Sequence, residues 1–374
     1  MHRWQTFDSR SVVRPMFRTA RLCSIFLIVT IRAMAQELSP ATTWLQALGP
    51  VPALEIPASP EAWASKRSTI RSTLTRLLGD LPARPTVPQV KVLSKEDHGD
   101  YSLEKFEFDN GAGEQVRGYC FLPAKATNCP AILYCHWHGG QYDIGKEELL
   151  QTNAVPVPPG PALAKAGYVV LGIDACGFGE RNGAIGDKGS AGELSASKFN
   201  LWAGRTLWGM IVRDDLMALD YLCSRPEVDA TRIGVTGISM GSTRAWWVMA
   251  LDDRPRAGVC IACMTRYQDL IAAGMLKAHG IYYYVPGMLK HFDTEAVIAC
   301  AAPRPMLFQT GDQDGGSPIE GVRKLGDIVG QVYAVHGKAD HFENTIYPGV
   351  AHVYLPEMWT KTVAWMDRWV KAAR

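Results

Sequence analysis

The strongest chemical signal in the sequence is a serine between two glycines, Ser239 in the run GISMG at residues 237–241. Residues 232–238 form an apolar run that predicts a strand, and the residues from 242 onward predict a helix. A Gly-x-Ser-x-Gly turn between a strand and a helix points the serine hydroxyl out of the sheet at the helix N-terminus. We therefore expect Ser239 to be a nucleophile that attacks an acyl carbonyl.

A serine hydroxyl is a weak nucleophile unless a base takes its proton, and a carboxylate orients that base. His352 follows a predicted strand at residues 343–347 and precedes the last predicted helix, so it is the expected base. Asp312 and Asp314 both follow a predicted strand at residues 305–310. The Gly-x-x-Asp spacing favours Asp314 as the acid, whereas Asp312 could cap the turn instead. The order serine, acid, histidine along the chain agrees with the serine turn.

Attack on a carbonyl also requires two N–H donors where the negative charge develops. One should be the backbone N–H of Met240, which directly follows the nucleophile. The other should come from Trp137 or His138, in the loop after a strand predicted at residues 130–136, because two glycines follow and allow a close approach to substrate. His136 and His138 could instead ligate a metal, but no third ligand stands at a suitable spacing. No metal or organic cofactor is therefore expected.

These side chains need a framework that brings distant parts of the chain together. Apolar runs alternate with helical patterns after residue 130, which is typical of an α/β fold with a mostly parallel sheet covered by helices on both faces. Two earlier runs, residues 101–108 and 115–122, are separated by an Asn-Gly turn and predict an antiparallel edge. The strands predicted in the alternating region are residues 130–136, 168–174, 232–238, 257–263, 305–310 and 343–347.

Three segments lie outside this alternation. Residues 36–100 contain a helix signal, with Ser59 as N-cap, a proline at the first helical position and Gly79 at the end, and they predict an N-terminal helical arm and linker. Residues 177–205 are rich in glycine, and residues 264–300 hold histidines and three consecutive tyrosines. Loops this long are usually functional or flexible, so we expect two cap-like insertions in a catalytic domain of residues 101–374.

The N-terminus has the composition of a targeting segment. Residues 1–35 hold six arginines and one acidic residue, and they include an apolar run at 22–31 and the small-residue pattern Ala33-Met34-Ala35. This pattern is typical of a secretory signal peptide, with Met1 or Met16 as the true start, and the apolar run is too short to span a bilayer. We expect a secreted or periplasmic protein without stable membrane insertion after signal removal. Nothing in the sequence determines the oligomeric state.

The overall composition is that of a globular protein. The chain has 374 residues, a formal net charge of +2 and 47% hydrophobic residues. These values exclude a disordered or collagen-like chain, and they do not indicate a nucleic-acid partner. Removal of residues 1–35 leaves 33 basic and 36 acidic residues, a net charge of −3. Cys120 and Cys129 flank a short loop and could form a disulfide in an oxidising compartment.

Four stretches accompany the serine turn: HWHGGQY at 136–142, DACGFGER at 174–181, RPEVD at 225–229 and APRP at 302–305. With these motifs, the chain from about Tyr101 onward resembles the α/β-hydrolase superfamily, and within it the bacterial acetyl-xylan-esterase-like and dienelactone-hydrolase-like serine esterases. True dienelactone hydrolases use a cysteine nucleophile where this chain has Ser239, so dienelactone cleavage is not expected. The resemblance implies an ester substrate, a small molecule or an oligosaccharide such as an acylated plant-polysaccharide fragment.

The sequence therefore predicts a secreted serine carboxylic ester hydrolase that acts through an acyl-enzyme, and the resemblance implies an acetyl-xylan-esterase-like activity that removes acyl groups from a carbohydrate. Tyr142, Trp202 and Tyr283 are candidate substrate-binding residues: Trp202 and Tyr283 could stack on a sugar ring or could pack an insertion against the core. An alternative is a serine peptidase of the prolyl-oligopeptidase type, although the chain has no propeller repeat. A further alternative is an inactive hydrolase fold that serves as a binding protein.

Overall fold

The structure is a computed structural model that describes residues 39–86 and 88–372, and nine strands in these residues form one sheet. The predicted signal peptide lies outside the described residues. The strands are β1 (Val90–Asp97), β2 (Tyr101–Asp109), β3 (Gln115–Pro123), β4 (Cys129–Cys135), β5 (Val169–Ile173), β6 (Val228–Ile238), β7 (Pro255–Ile261), β8 (Met306–Gly311) and β9 (Phe342–Tyr347).

The sheet has the order β1-β2-β3-β5-β4-β6-β7-β8-β9. The six strands from β5 to β9 in this order pair in parallel, while β1, β2 and β3 pair antiparallel at one edge. The predicted α/β class and the antiparallel edge are therefore confirmed. Because the carboxyl ends of parallel strands lie at one edge of a sheet, the segments that follow β4, β6, β8 and β9 come together there.

Helices cover both faces of the sheet. The described α-helices are α1 (Pro40–Ala47), α2 (Pro60–Leu78), α3 (Pro159–Lys165), α4 (Gly189–Trp202), α5 (Leu207–Ser224), α6 (Met240–Leu251), α7 (Tyr267–Ala272), α8 (Thr294–Ala299), α9 (Ile319–Val335) and α10 (Pro356–Met366).

Each face of the sheet has its own apolar core. Helices α2, α5, α6, α8 and α9 bury side chains against one face, including Trp208, Trp246 and Trp247. Helices α3 and α10 cover the other face, where Met366 and Val370 are fully buried. Strands β5 and β8 are buried along their whole length, so neither alternates between apolar and polar faces: β5 is continuously apolar, and β8 includes the buried polar residues Gln309 and Thr310 near its end.

Helix α2 begins and ends at the residues that the sequence signals indicate. Ser59 accepts a hydrogen bond from the Ala62 N–H at 3.3 Å, and α2 ends at Gly79, whose φ is +90°. Strand β1, in contrast, has no apolar pattern that could predict it, because seven of its eight residues are exposed. It is held at the sheet edge by its pairing with β2, so part of the segment 36–100 belongs to the sheet.

The two segments between strands contain helices of their own. Residues 177–205 carry α4, and residues 264–300 carry α7, α8 and three short 3-10 turns. All eight cysteines in the described part of the chain are free, so the disulfide considered for Cys120 and Cys129 does not form. Among the helices of residues 39–86 and 88–372, none combines the length and apolarity that a bilayer crossing requires.

Candidate active site

Ser239 lies at the turn between β6 and α6, with φ of +59° and ψ of −120°. This strained conformation is anchored by the Ser239 N–H, which donates to the Ile261 carbonyl at 2.9 Å. A Cβ on Gly237 or Gly241 would lie within 3.0 Å of the Cys135 carbonyl oxygen of β4, closer than real Cβ atoms approach. The two glycines are therefore required because the turn crosses directly over the neighbouring strand.

Asp314 and His352 meet in the loops after β8 and β9. His352 Nδ1 donates to Asp314 Oδ2 at 2.9 Å, and the carboxylate is 3% exposed. The other oxygen, Asp314 Oδ1, accepts the Gly316 N–H at 2.8 Å, which holds the carboxylate in place. Asp312 accepts the Gly349 N–H at 2.7 Å instead. Of the two candidate acids, Asp314 is thus the one in contact with His352, and the Nε2 of that ring is left for a reacting group.

Ser239, Asp314 and His352 line one pocket of about 420 Å³. Within the described residues, the Ser239 hydroxyl makes no hydrogen bond to His352 and lies 3.9 Å from the Cys263 thiol. Bonds of this kind are often long before substrate binds. The pocket wall is also formed by Lys277 and by residues that are largely backbone: Gly139, Gly140, Gly280, Gly315 and Gly316.

The segment from Trp137 to Gly140 follows β4 and contains two of the predicted oxyanion donors, so we call it the oxyanion loop; its residues His138, Gly139 and Gly140 line the pocket. The Trp137 N–H donates to Glu148 Oε2 at 2.7 Å, so this predicted donor is already occupied and cannot also face a substrate oxygen. His138 lines the pocket, and in the described part of the chain neither its N–H nor that of Met240 donates to another group. Of the three predicted donors, the N–H groups of His138 and Met240 are therefore the two that remain free.

A buried glutamate, Glu148, holds the backbone of the oxyanion loop through a hydrogen bond. Glu148 is fully buried and accepts the Tyr134 hydroxyl at 2.6 Å in addition to the Trp137 N–H. Burial raises the pKa of Glu148 to about 7, although both hydrogen bonds and the nearby Arg244 guanidinium lower it. Glu148 lies within a short 3-10 turn (Gly145–Leu150), and nothing in the residues of that turn marks it as a buried carboxylate, so the sequence did not identify it.

A second buried glutamate, Glu193 of α4, contacts the oxyanion loop through the side chain of His138. Its Oε2 accepts His138 Nε2–H at 2.7 Å and the Tyr142 hydroxyl at 3.1 Å, and its Oε1 accepts the Tyr282 N–H at 3.3 Å. The carboxylate is 5% exposed. The sequence did not indicate Glu193, because α4 lies in the glycine-rich segment and the glutamate becomes informative only beside His138.

The two histidines considered as metal ligands both have protein partners. His136 Nε2 accepts the Ala175 N–H at 3.0 Å, so its Nδ1–H donates to the Trp137 carbonyl at 2.7 Å. Burial, together with the Arg244 guanidinium, holds the pKa of His136 well below its usual range, so the ring is neutral. No group of three metal-ligating side chains occurs among residues 39–86 and 88–372.

The three aromatic residues proposed for substrate binding are not brought together at the pocket. Tyr142 lies behind the pocket wall, with its hydroxyl on Glu193. Trp202 is 94% exposed at the end of α4 and does not line the pocket. Tyr283 is buried and stacks on His279, which does line the pocket, at 4.2 Å between ring centroids. Tyr283 therefore packs behind the pocket, which corresponds to the packing alternative, and its neighbour Tyr282 forms part of the wall.

Comparison with known proteins shows which family the chain belongs to. Residues 39–362 match the sequence profile of the Abhydrolase family. The chain belongs to this family. The Abhydrolase chain is 37% identical over 307 residues to YtaP of Bacillus subtilis strain 168, whose name classes it as a hydrolase, and the match covers 81% of this chain and all of YtaP.

Solved structures agree with the fold of this Abhydrolase protein. A Bacteroides fragilis protein assigned as an acetyl xylan esterase superposes with a TM-score of 0.66 and 21% identity, over 82% of this chain and 80% of that one. A glucuronoyl esterase from Solibacter usitatus superposes with a TM-score of 0.59 and 17% identity, over 85% and 98% of the two chains. At these identities the similarity supports the α/β-hydrolase fold predicted from the sequence.

Proposed function

We propose that this Abhydrolase protein is a serine carboxylic ester hydrolase with Ser239, His352 and Asp314 as its catalytic residues. The observation that carries the proposal is the 2.9 Å hydrogen bond between His352 and the buried Asp314, in the pocket that Ser239 also lines. A carboxylate on Nδ1 keeps the other ring nitrogen, Nε2, free of a proton and able to accept one. Cofactors are not needed for this chemistry.

In the proposed reaction, the Ser239 hydroxyl attacks the acyl carbonyl carbon while His352 Nε2 takes its proton. The carbonyl oxygen becomes negatively charged and accepts hydrogen bonds from the His138 and Met240 N–H groups. The tetrahedral intermediate collapses, His352 delivers the proton to the leaving alcohol, and an acyl-enzyme remains on Ser239. Water then hydrolyses it with His352 as the base, while Asp314 stabilises the imidazolium throughout.

We propose a carbohydrate ester as the substrate class. The structural neighbours include proteins described as acetyl xylan and glucuronoyl esterases, and the N-terminal segment 1–35 is typical of exported proteins. The proposal includes secretion or periplasmic export after removal of residues 1–35, which leaves the arm of residues 36–100 and the catalytic domain 101–374. Stacking of a sugar ring on Tyr142, Trp202 or Tyr283 at the pocket is not part of it, since none of these rings forms the pocket wall.

The test is an activity screen of the purified protein with p-nitrophenyl acetate, acetylated xylan and glucuronate methyl esters. Ser239→Ala is expected to lower ester turnover by at least about 10³-fold without changing the thermal unfolding temperature. Ser65→Ala, on the outer surface of α2, is the matched control and should retain full turnover. Cleavage of peptide anilides without ester cleavage would favour the peptidase alternative. Absence of any turnover would favour a binding protein.

A further inference from the structure

Glu193 has an unusual set of partners for a buried carboxylate. Three N–H or O–H donors converge on it from separate segments: the His138 ring of the oxyanion loop, the Tyr142 hydroxyl and the Tyr282 N–H of the second insertion. In the described part of the chain, no lysine or arginine lies within ion-pair distance of this carboxylate. A buried charge costs free energy unless it is well hydrogen-bonded, so this arrangement depends on all three donors.

The position of Glu193 determines which nitrogen of His138 carries the proton. His138 Nδ1 accepts the Gly140 N–H at 3.0 Å and therefore carries no hydrogen, so the ring hydrogen is on Nε2, which donates to Glu193 at 2.7 Å. The His138 ring thus links the helix α4 to the backbone of the loop. Gly139 and Gly140, with φ of +52° and +70°, form a tight turn, and the hydrogen bond from the Gly140 N–H to His138 Nδ1 closes it.

We propose that Glu193 is a positioning residue that holds the oxyanion loop in its active shape through the tautomer of His138. The proposal rests on the proposed function, because it gives the His138 N–H the role of an oxyanion donor. A carboxylate can only accept, so it selects the Nε2–H tautomer and leaves Nδ1 free to accept the Gly140 N–H. The contacts with Tyr142 and Tyr282 fix the carboxylate. Because Glu193 belongs to the first insertion and Tyr282 to the second, both insertions are thereby connected to the catalytic pocket.

The decisive perturbation is Glu193→Gln. The side-chain amide has one acceptor oxygen, so it cannot accept both the His138 Nε2–H and the Tyr282 N–H. When its oxygen accepts the Tyr282 N–H, its amide hydrogens face Nε2 and move the ring hydrogen to Nδ1, where it would oppose the Gly140 N–H. We expect kcat to fall about 10- to 100-fold with KM within about threefold of wild type, because an oxyanion donor acts mainly in the transition state. The matched control is Glu104→Gln, a buried glutamate that pairs with Lys95 and Arg225 away from the pocket. It should lower stability and leave kcat per folded molecule unchanged.

A double-mutant cycle separates the tautomer from general packing. In His138→Asn, the side-chain oxygen can accept the Gly140 N–H without any choice of tautomer. Glu193→Gln should then change kcat by less than about threefold in the His138→Asn background, so the two substitutions should be strongly non-additive. Fully additive effects, or an unchanged kcat in Glu193→Gln alone, would overturn the proposal.

A spectroscopic measurement covers the case in which the variants fail to fold. Long-range ¹H–¹⁵N NMR of the wild-type histidines, assigned with His138→Asn or by selective labelling, should show His138 with its hydrogen on Nε2, and the opposite tautomer would refute the proposal. The outcomes are distinguishable from failure of the proposed function. If Ser239→Ala leaves ester turnover intact, the function is wrong, whereas if only Glu193→Gln is without effect, the ester hydrolase stands and the positioning role falls.

Discussion

The buried Glu148 under the oxyanion loop predicts a specific pH dependence of stability. Its carboxyl group has a pKa of about 7 in the folded protein against an ordinary value of 4.5, because burial disfavours the charged form. Between these two values the folded state keeps the proton and the unfolded state loses it. The contribution of Glu148 to the free energy of unfolding is therefore complete below about pH 4.5, declines as the pH rises, and levels off above about pH 7.

The size of this effect follows from the two pKa values. Each unit of pKa difference corresponds to about 1.4 kcal/mol, so the contribution should fall by about 2–3 kcal/mol between pH 5 and pH 8. Glu148→Gln removes the titration and keeps the shape, since its amide oxygen can accept the Trp137 N–H and its amide hydrogens can donate to the Tyr134 oxygen. We expect the variant to gain stability relative to wild type as the pH increases.

Urea unfolding of wild type and Glu148→Gln at pH 5, 6, 7 and 8 measures this difference. The buried His136, whose pKa burial holds well below its usual range, contributes with the opposite sign, since its stabilising effect is lost as the pH falls. His136 is present in both proteins, and Glu148 is not among the groups that shift its pKa, so its contribution cancels to first order in the difference between them. A difference that stays constant within about 0.5 kcal/mol from pH 5 to pH 8 would refute the reasoning.

Two further predictions concern the catalytic acid and the serine turn. Asp314→Asn should lower kcat by about 10³- to 10⁴-fold, because the amide no longer stabilises the His352 imidazolium, whereas Asp312→Asn should stay within about fivefold in the same ester assay. Equal losses in both variants would contradict the assignment of the acid. Gly241→Ala should unfold or severely destabilise the protein, because its Cβ would overlap the carbonyl of the neighbouring strand, while Gly330→Ala in α9 should stabilise it by about 0.5–1 kcal/mol in thermal or urea unfolding.

Much of the framework could be predicted because its signals are local. The apolar runs that became β4 to β9 and the cap and stop residues of α2 are read over a few neighbouring positions. Strand β1 could not be predicted, since an exposed edge strand is held by backbone pairing and needs no apolar side chains. Helix α4 was missed for a related reason: glycine lowers helix propensity, and contacts with the second insertion override it.

At the candidate site, the sequence alone determined the strand-serine-helix turn of Ser239 and the positions of the acid and the base after their strands. These features depend only on the order and spacing of residues along the chain, so they can be predicted without the tertiary structure. Only the tertiary structure decided between Asp314 and Asp312, and it alone showed that the Trp137 N–H is occupied. The contacts of Glu148 and Glu193 with the oxyanion loop were also visible only in the tertiary structure. Their roles depend on which distant donors face a buried carboxylate, and residue type and spacing do not encode that information.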